Sequence, residues 1–298
     1  MIKYYTITSN MTIKHLVIPG GGPTGLKAIG ALQYLETNNY WKFSDIETIY
    51  ATSAGSIISV LICLHFDWEM INDYIIKRPW NEVFHINIHQ IFDAYSKKGL
   101  FDHTVTEIFY KPFFNAKDIS LGITLREFFD LTHIELHMFT LDINHFILED
   151  LSFLTHPELP LLTAVQMSCA IPILISPVCI EDKCYVDGGV VCNYPINQCI
   201  ARAQQKDDIL GLRNEYRVNE STIVGEKSTI LEYTMNFISK LVNNVSMRAH
   251  ETTVPNEVIY ETEFMNLSNI QLALSSKEVR QALVDSGVEA AKKFLLHI

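Results

Sequence analysis

Short apolar runs alternate with stretches of helical periodicity along the first part of the chain. Residues 14–19 are mostly apolar, the pattern of a strand covered on both faces. Residues 26–35 place Leu26, Ile29, Gly30 and Leu32 or Gln33 at helical spacing. Residues 47–51 read as a second strand and 54–66 as a second, apolar helix. This strand–helix–strand–helix order predicts an α/β protein, a three-layer α/β/α sandwich around a central, mainly parallel sheet. Residues 67–130 read as mainly helical with aromatic-rich connections, 136–144 and 145–148 as a pair of strands, and 161–169 as a helix ending near Pro172. Residues 184–186 form a short strand running into Asp187. Beyond residue 200 the pattern is weaker: strands at 208–213 and 258–263, an amphipathic helix at 229–249, and a final helix at 277–296. No repeat, low-complexity tract or shift of composition divides the chain. One domain over residues 1–298 is expected, with the C-terminal strand and helices on the same core.

Composition narrows the partners. Hydrophobic residues make up 48% of the chain and charged residues 19%, which argues against disorder. A formal net charge of −11 repels phosphates, so no nucleic-acid partner is expected. Without a dense Lys/Arg cluster, any peripheral membrane contact has to be mainly apolar. The cysteines at 63, 169, 179, 184, 192 and 199 show no CxxC spacing and read as reduced, mostly buried thiols. Residues 1–14 lack the apolar core of a secretory signal. The uncharged stretch 48–64 divides into a strand and a helix rather than a membrane span. These readings imply an intracellular, cytoplasmic protein.

Ala51-Thr52-Ser53-Ala54-Gly55 falls between strand and helix, where hydrolases place a nucleophile elbow. Such a turn strains the serine backbone and lifts Oγ above the sheet, and the residues two before and two after the serine have to be small. Gly55 satisfies this, and Ala51 replaces the usual first glycine. The helix that starts at Ala54 adds a partial positive charge beside Ser53. The plainer alternative is an N-cap serine at an ordinary junction.

Gly20-Gly21-Gly22-Pro23-Thr24-Gly25 follows the first strand and can turn its amides toward an oxyanion or a phosphate. It also fits G-x-G-x-x-G, but the second strand ends in Ala51, Thr52 and Ser53, with no carboxylate for a dinucleotide ribose. Asp187-Gly188-Gly189 leaves a carboxylate exposed at a strand end, or else forms a simple turn.

In this order the segments resemble the patatin-like phospholipase family. Gly20-Gly21-Gly22…Gly25 is similar to its oxyanion loop, Ala51-Thr52-Ser53-Ala54-Gly55 to its elbow, and Asp187-Gly188-Gly189…Asn193…Pro195 to its aspartate motif. Leu141-Asp142-Ile143-Asn144 and Ser168-Cys169-Ala170-Ile171-Pro172…Pro177 are similar to two further segments. The resemblance covers residues 14–200 and departs at Ala51 and at Thr24, where Lys or Arg is common and Lys27 is near. It implies a lipid acyl hydrolase of phospholipase A type with Ser53 as nucleophile, Asp187 as base, and Gly20, Gly21 and Gly22 forming the oxyanion hole. It implies a phospholipid or other acyl-lipid substrate and no cofactor or metal.

Other readings compete. A Ser–Asp–His triad would draw on His250 or His297, and a degenerate elbow would leave a weakly catalytic lipid-binding protein. His85/His89 and His133/His137 have zinc-like i, i+4 spacing but lack supporting ligands. The aromatic-rich stretch 68–114 reads as core, with a lid or membrane-facing surface over the acyl site as the functional alternative.

Overall fold

The computed structural model describes residues 12–85, 88–217, 223–249, 252–263 and 266–297. Its strands are β1 (His15–Ile18), β2 (Thr48–Thr52), β3 (Gly99–Phe101), β4 (Glu135–Asp142), β5 (Ile147–Leu151), β6 (Ile173–Ile175), β7 (Val178–Ile180), β8 (Lys183–Asp187), β9 (Ile209–Arg217) and β10 (Asn256–Glu263).

Alternation along the central strands explains the layering. Leu16 and Ile18 of β1 and Ile49 and Ala51 of β2 enter one large core cluster. Between them, Val17 and Tyr50 enter a second, smaller cluster with Tyr194, Ile196 and Cys199. Successive side chains point to opposite faces, so both faces are covered and the strands have to be apolar throughout. The three-layer arrangement follows.

Strands β10, β9, β1, β2 and β4 lie side by side in that order and are parallel throughout. Antiparallel pairing begins at β4, with β5 and β8, and β8 carries β7. Met138 and Phe139 of β4 pair with both β2 and β5, and Thr140–Asp142 pairs with both β5 and β8. A strand has two edges, so β8 follows β2 end to end along the edge opposite β5. The last residue of β8, Asp187, therefore arrives just beyond the end of β2.

The C-terminal helix Lys277–Leu295 lies against the helix Gly25–Thr37 through two glycines. A Cβ at Gly30 would sit 2.0 Å from the Val284 carbonyl oxygen, and one at Gly287 would sit 1.9 Å from that of Lys27. Any side chain at either position forces the helices apart. Three cysteines are buried, but Cys179 is exposed and faces Cys184 across the β7–β8 hairpin, Sγ to Sγ 2.7 Å. No helix of the described residues is long and apolar enough to cross a membrane.

Candidate active site

Ser53 occupies the turn between β2 and the helix Ala54–Cys63 with φ 54° and ψ −125°. A non-glycine residue holds such a backbone only where its surroundings enforce it. Ser168 supplies that enforcement. Its Oγ accepts the Ser53 N–H at 3.0 Å, lies 2.8 Å from Ser56 Oγ, and donates to the Phe139 carbonyl at 2.8 Å. A hydroxyl has one donor and two acceptor positions. Ser56 must then donate to Ser168, and all three positions are filled.

The crowding at the elbow differs from the sequence expectation. A Cβ at Gly55 would meet the carbonyl oxygens of Ile18 at 2.3 Å and Pro19 at 2.8 Å, so the end of β1 demands the glycine. Ala51 is not among these closest neighbours. It sits wholly buried inside β2, in register between Ile18 and Met138.

Asp187 lies beyond Thr52 on the shared β4 edge and is 5% exposed. Burial pushes its carboxyl up to about 6, against the hydrogen bonds from the Ser53 hydroxyl and the Gly189 amide. The Gly189 N–H donates to Oδ1 at 2.7 Å and holds one carboxylate oxygen. The Asp187 N–H donates to the Ala170 carbonyl at 3.0 Å. Gly188 passes so close to β4 that a Cβ there would lie 2.3 Å from the Phe139 carbonyl oxygen.

The glycine loop is tied to the aspartate segment. The Gly20 N–H donates to the Asn193 carbonyl at 3.1 Å, so this amide is turned away from an oxyanion. The Gly20 carbonyl accepts from Asn214 Nδ2 at 2.7 Å and from Asn193 Nδ2 at 3.4 Å. Gly20 thus anchors the loop, which corrects its expected place among the oxyanion donors. Thr24 Oγ1 donates to the Gly21 carbonyl at 2.8 Å, and Gly22 takes φ 55°. Among the described residues neither the Gly21 nor the Gly22 amide has a backbone acceptor. Lys27 turns away from the loop and donates to the Glu261 carbonyl.

Gly21, Gly22, Ser53, Asp187, Asn193 and Tyr216 border a cavity of about 30 Å3, closed on another side by Ile238, Ser239 and Val242 of the helix Ile230–Ala249. Gly22 and Ile171 also border a second, apolar cavity of about 290 Å3. Trp80, Phe84, Phe101 and Phe109 line it, so part of the aromatic-rich stretch wraps this space and does not form the cover over Ser53. Arg280 reaches its wall, but the guanidinium donates to the carbonyls of Ile76, Arg78, Ala273 and Leu274, leaving the space apolar.

The sequence profile described as patatin-like phospholipase matches residues 16–200. The chain belongs to the patatin-like phospholipase family. A probable lipid hydrolase of Invertebrate iridescent virus 6 is 27% identical over 69% of this chain and 67% of its own. An uncharacterized protein of Acanthamoeba polyphaga mimivirus is 27% identical over 63% of this chain and 62% of its own. Among solved structures, VipD from Legionella pneumophila superposes with a TM-score of 0.57 at 15% identity, over 95% of this chain and 66% of VipD. The type III effector ExoU gives 0.52 at 13% identity, over 96% of this chain and 53% of that chain. The chain thus spans about half to two thirds of these proteins, and the likeness to VipD and ExoU is one of fold.

The histidine readings lose ground. His137 is buried between Glu135 and Asp150, with Nε2 2.7 Å from Glu135 and Nδ1 2.7 Å from Asp150. His133 ends the helix Leu125–Thr132 in a left-handed conformation. His297 is exposed, with Nδ1 2.6 Å from the Lys293 carbonyl. The His89 side chain and His250 lie outside the described residues. Among the described residues no group of three or more His, Cys, Asp or Glu could hold a metal. Sequence reasoning assigned no role to Ser168, Asn193, Tyr216 or the helix Ile230–Ala249. Ser168 and Asn193 lay in quoted motifs and could have been singled out; Tyr216 and Ile238 carried no local signal.

Proposed function

We propose that this chain is a lipid acyl hydrolase of phospholipase A type, acting through an acyl-enzyme on Ser53 with Asp187 as the base. The observation that carries the reading is that Ser53, on its strained turn, and the buried carboxyl of Asp187 border one cavity, whose wall at Gly22 and Ile171 is shared with a larger apolar cavity. Family membership and the viral lipid hydrolase support lipid hydrolysis as the general activity.

Asp187 accepts the Ser53 proton as Oγ attacks the ester carbonyl. A carboxyl near 6 is mostly ionised at neutral pH yet basic enough to take that proton. The Gly21 and Gly22 amides face the developing oxyanion, and the helix Ala54–Cys63 adds its N-terminal dipole. Each such donor is worth roughly 3–4 kcal/mol in serine hydrolases. The alcohol leaves with the proton held by Asp187, the fatty acyl group remains on Oγ in the apolar cavity, and water attacks with Asp187 again as base. The C-terminal helices belong to the same domain in this reading, since Lys277–Leu295 closes directly on Gly25–Thr37.

A fluorophosphonate probe and fatty-acid release from mixed phospholipid vesicles test the reading together. Labelling at Ser53, with release abolished in Ser53→Ala and Asp187→Asn, is the expected result. Release that survives Ser53→Ala in folded protein overturns it. A folded protein that takes no label and releases nothing leaves lipid binding without catalysis as the function.

A further inference from the structure

The helix Ile230–Ala249 carries apolar side chains on two opposite faces. Its inner face places Met235, Ile238 and Ser239 in the protein, and Ile238, Ser239 and Val242 close the cavity at Ser53. Its outer face presents Ile230, Tyr233, Phe237 and Leu241, which are 78, 48, 53 and 38% exposed. Their i, i+3, i+7, i+11 spacing makes one stripe along the helix, and the Tyr233 and Phe237 rings stack with centroids 6.4 Å apart. Between Tyr233 and Asn244 the only charged solvent-facing residue is Lys240. The two residues Ile223 and Val224, before the helix, are exposed as well. A surface helix of a soluble protein normally turns its polar face outward, and a contiguous apolar patch marks an interaction surface.

We propose that this outer face docks on a zwitterionic lipid surface, with the same helix closing the Ser53 cavity from its other side. The choice of occupant rests on two observations. The stripe is continuous, through one helix, with the wall of the small cavity at Ser53, where the acyl-lipid reading puts the reacting ester, and the proposal depends on that reading for its biological sense. The protein carries a net charge of −11, so anionic lipid is repelled and a nearly uncharged stripe fits a neutral interface instead. Aromatic side chains that combine an apolar body with a polar tip, as Tyr233 does, suit the headgroup boundary. Docking there brings the cavity cover to the bilayer from which the substrate comes.

The test uses the full chain in two backgrounds. In Ser53→Ala protein, which cannot consume the vesicles, sedimentation with phosphatidylcholine vesicles measures docking alone. Tyr233→Ser with Phe237→Ser is expected to weaken that binding at least tenfold, and Ile230→Ser to weaken it by a smaller factor in the same direction. With Ser53 present, the double variant is expected to hydrolyse a soluble butyrate ester at the unsubstituted rate while its rate on vesicles falls at least tenfold. Unchanged vesicle binding in the double variant overturns the proposal. So does a wild-type dimer that the substitutions dissociate without any vesicle binding, which assigns the stripe to a second copy. If no ester is hydrolysed by any Ser53 protein but the substitutions still abolish vesicle binding, the catalytic reading fails and the docking face stands.

Discussion

The Ser168 hydroxyl oxygen accepts the Ser53 backbone N–H at 3.0 Å, so the serine proposed as nucleophile is held by a wholly buried side chain. Ser168→Ala leaves the Ser53 N–H, the Ser56 hydroxyl and the Phe139 carbonyl without their common partner. A buried polar group left unsatisfied costs about 1–3 kcal/mol, and the φ 54° turn loses its brace. The variant is expected to lose roughly tenfold to a hundredfold in kcat with KM little changed, and to melt several degrees lower. Steady-state kinetics on a soluble ester with a melting curve checks this; unchanged kcat removes Ser168 from the positioning of Ser53.

The pH dependence follows from Asp187. Its carboxyl is raised to about 6 by burial. If Asp187 is the base, as proposed, it must be ionised, and kcat/KM on a soluble ester is expected to fall about tenfold per pH unit below 6 and to level off above it. Stability runs the opposite way. A carboxyl whose folded value lies above its unfolded value of 3.8 contributes stability below the unfolded value, and that contribution is lost as pH rises through about 6. The difference amounts to about 3 kcal/mol at neutral pH. Asp187→Asn is therefore expected to abolish hydrolysis while raising Tm by a few degrees at pH 8, and to leave Tm nearly unchanged at pH 3.5. A Tm gain that is equal at both pH values would show that the carboxylate carries no burial penalty.

Gly55 and Ala51 separate two accounts of the elbow. The Ile18 and Pro19 carbonyls, not Ala51, crowd Gly55. Gly55→Ala is expected to cost several kcal/mol, since a Cβ would press on strand backbone that cannot yield, and to inactivate whatever protein folds. Ala51→Gly is expected to leave kcat/KM within about threefold while losing about 1 kcal/mol through strand entropy and a lost buried methyl. A large gain in kcat from Ala51→Gly would show that the alanine does weaken the elbow.

Much of this was legible because the central strands must be apolar on both faces. The runs at 14–19 and 47–51 locate β1 and β2 to within about a residue, and the glycine and small-residue motifs at their ends mark Ser53 and the loop beside it. The short strands Gly99–Phe101, Ile173–Ile175 and Val178–Ile180 were not legible, since three residues carry no period. The far wall of the site escaped for another reason. Tyr216 and Ile238 reach Ser53 only through tertiary packing of elements after residue 200, and neither is part of a local motif. Aromatic density at residues 68–114 read as core, with a lid over the acyl site as the alternative. Burial shows Trp80 and Phe101 turned inward to the apolar cavity, while Phe92 and Tyr95 stay exposed.

The apolar cavity makes chain length testable. Ala273 is buried in its wall on the helix Leu267–Ser275, remote in sequence from the elbow at Ala54 that forms another part of the lining. Ala273→Phe fills part of about 290 Å3 without touching the Ser53 cavity. Hydrolysis of a butyrate ester is expected to stay within about threefold of wild type, and hydrolysis of a palmitate ester to fall at least tenfold, because only the longer chain needs the lost volume. Equal losses on both esters would mean that the acyl chain lies elsewhere, and unchanged rates on both would mean that this cavity plays no part in binding it.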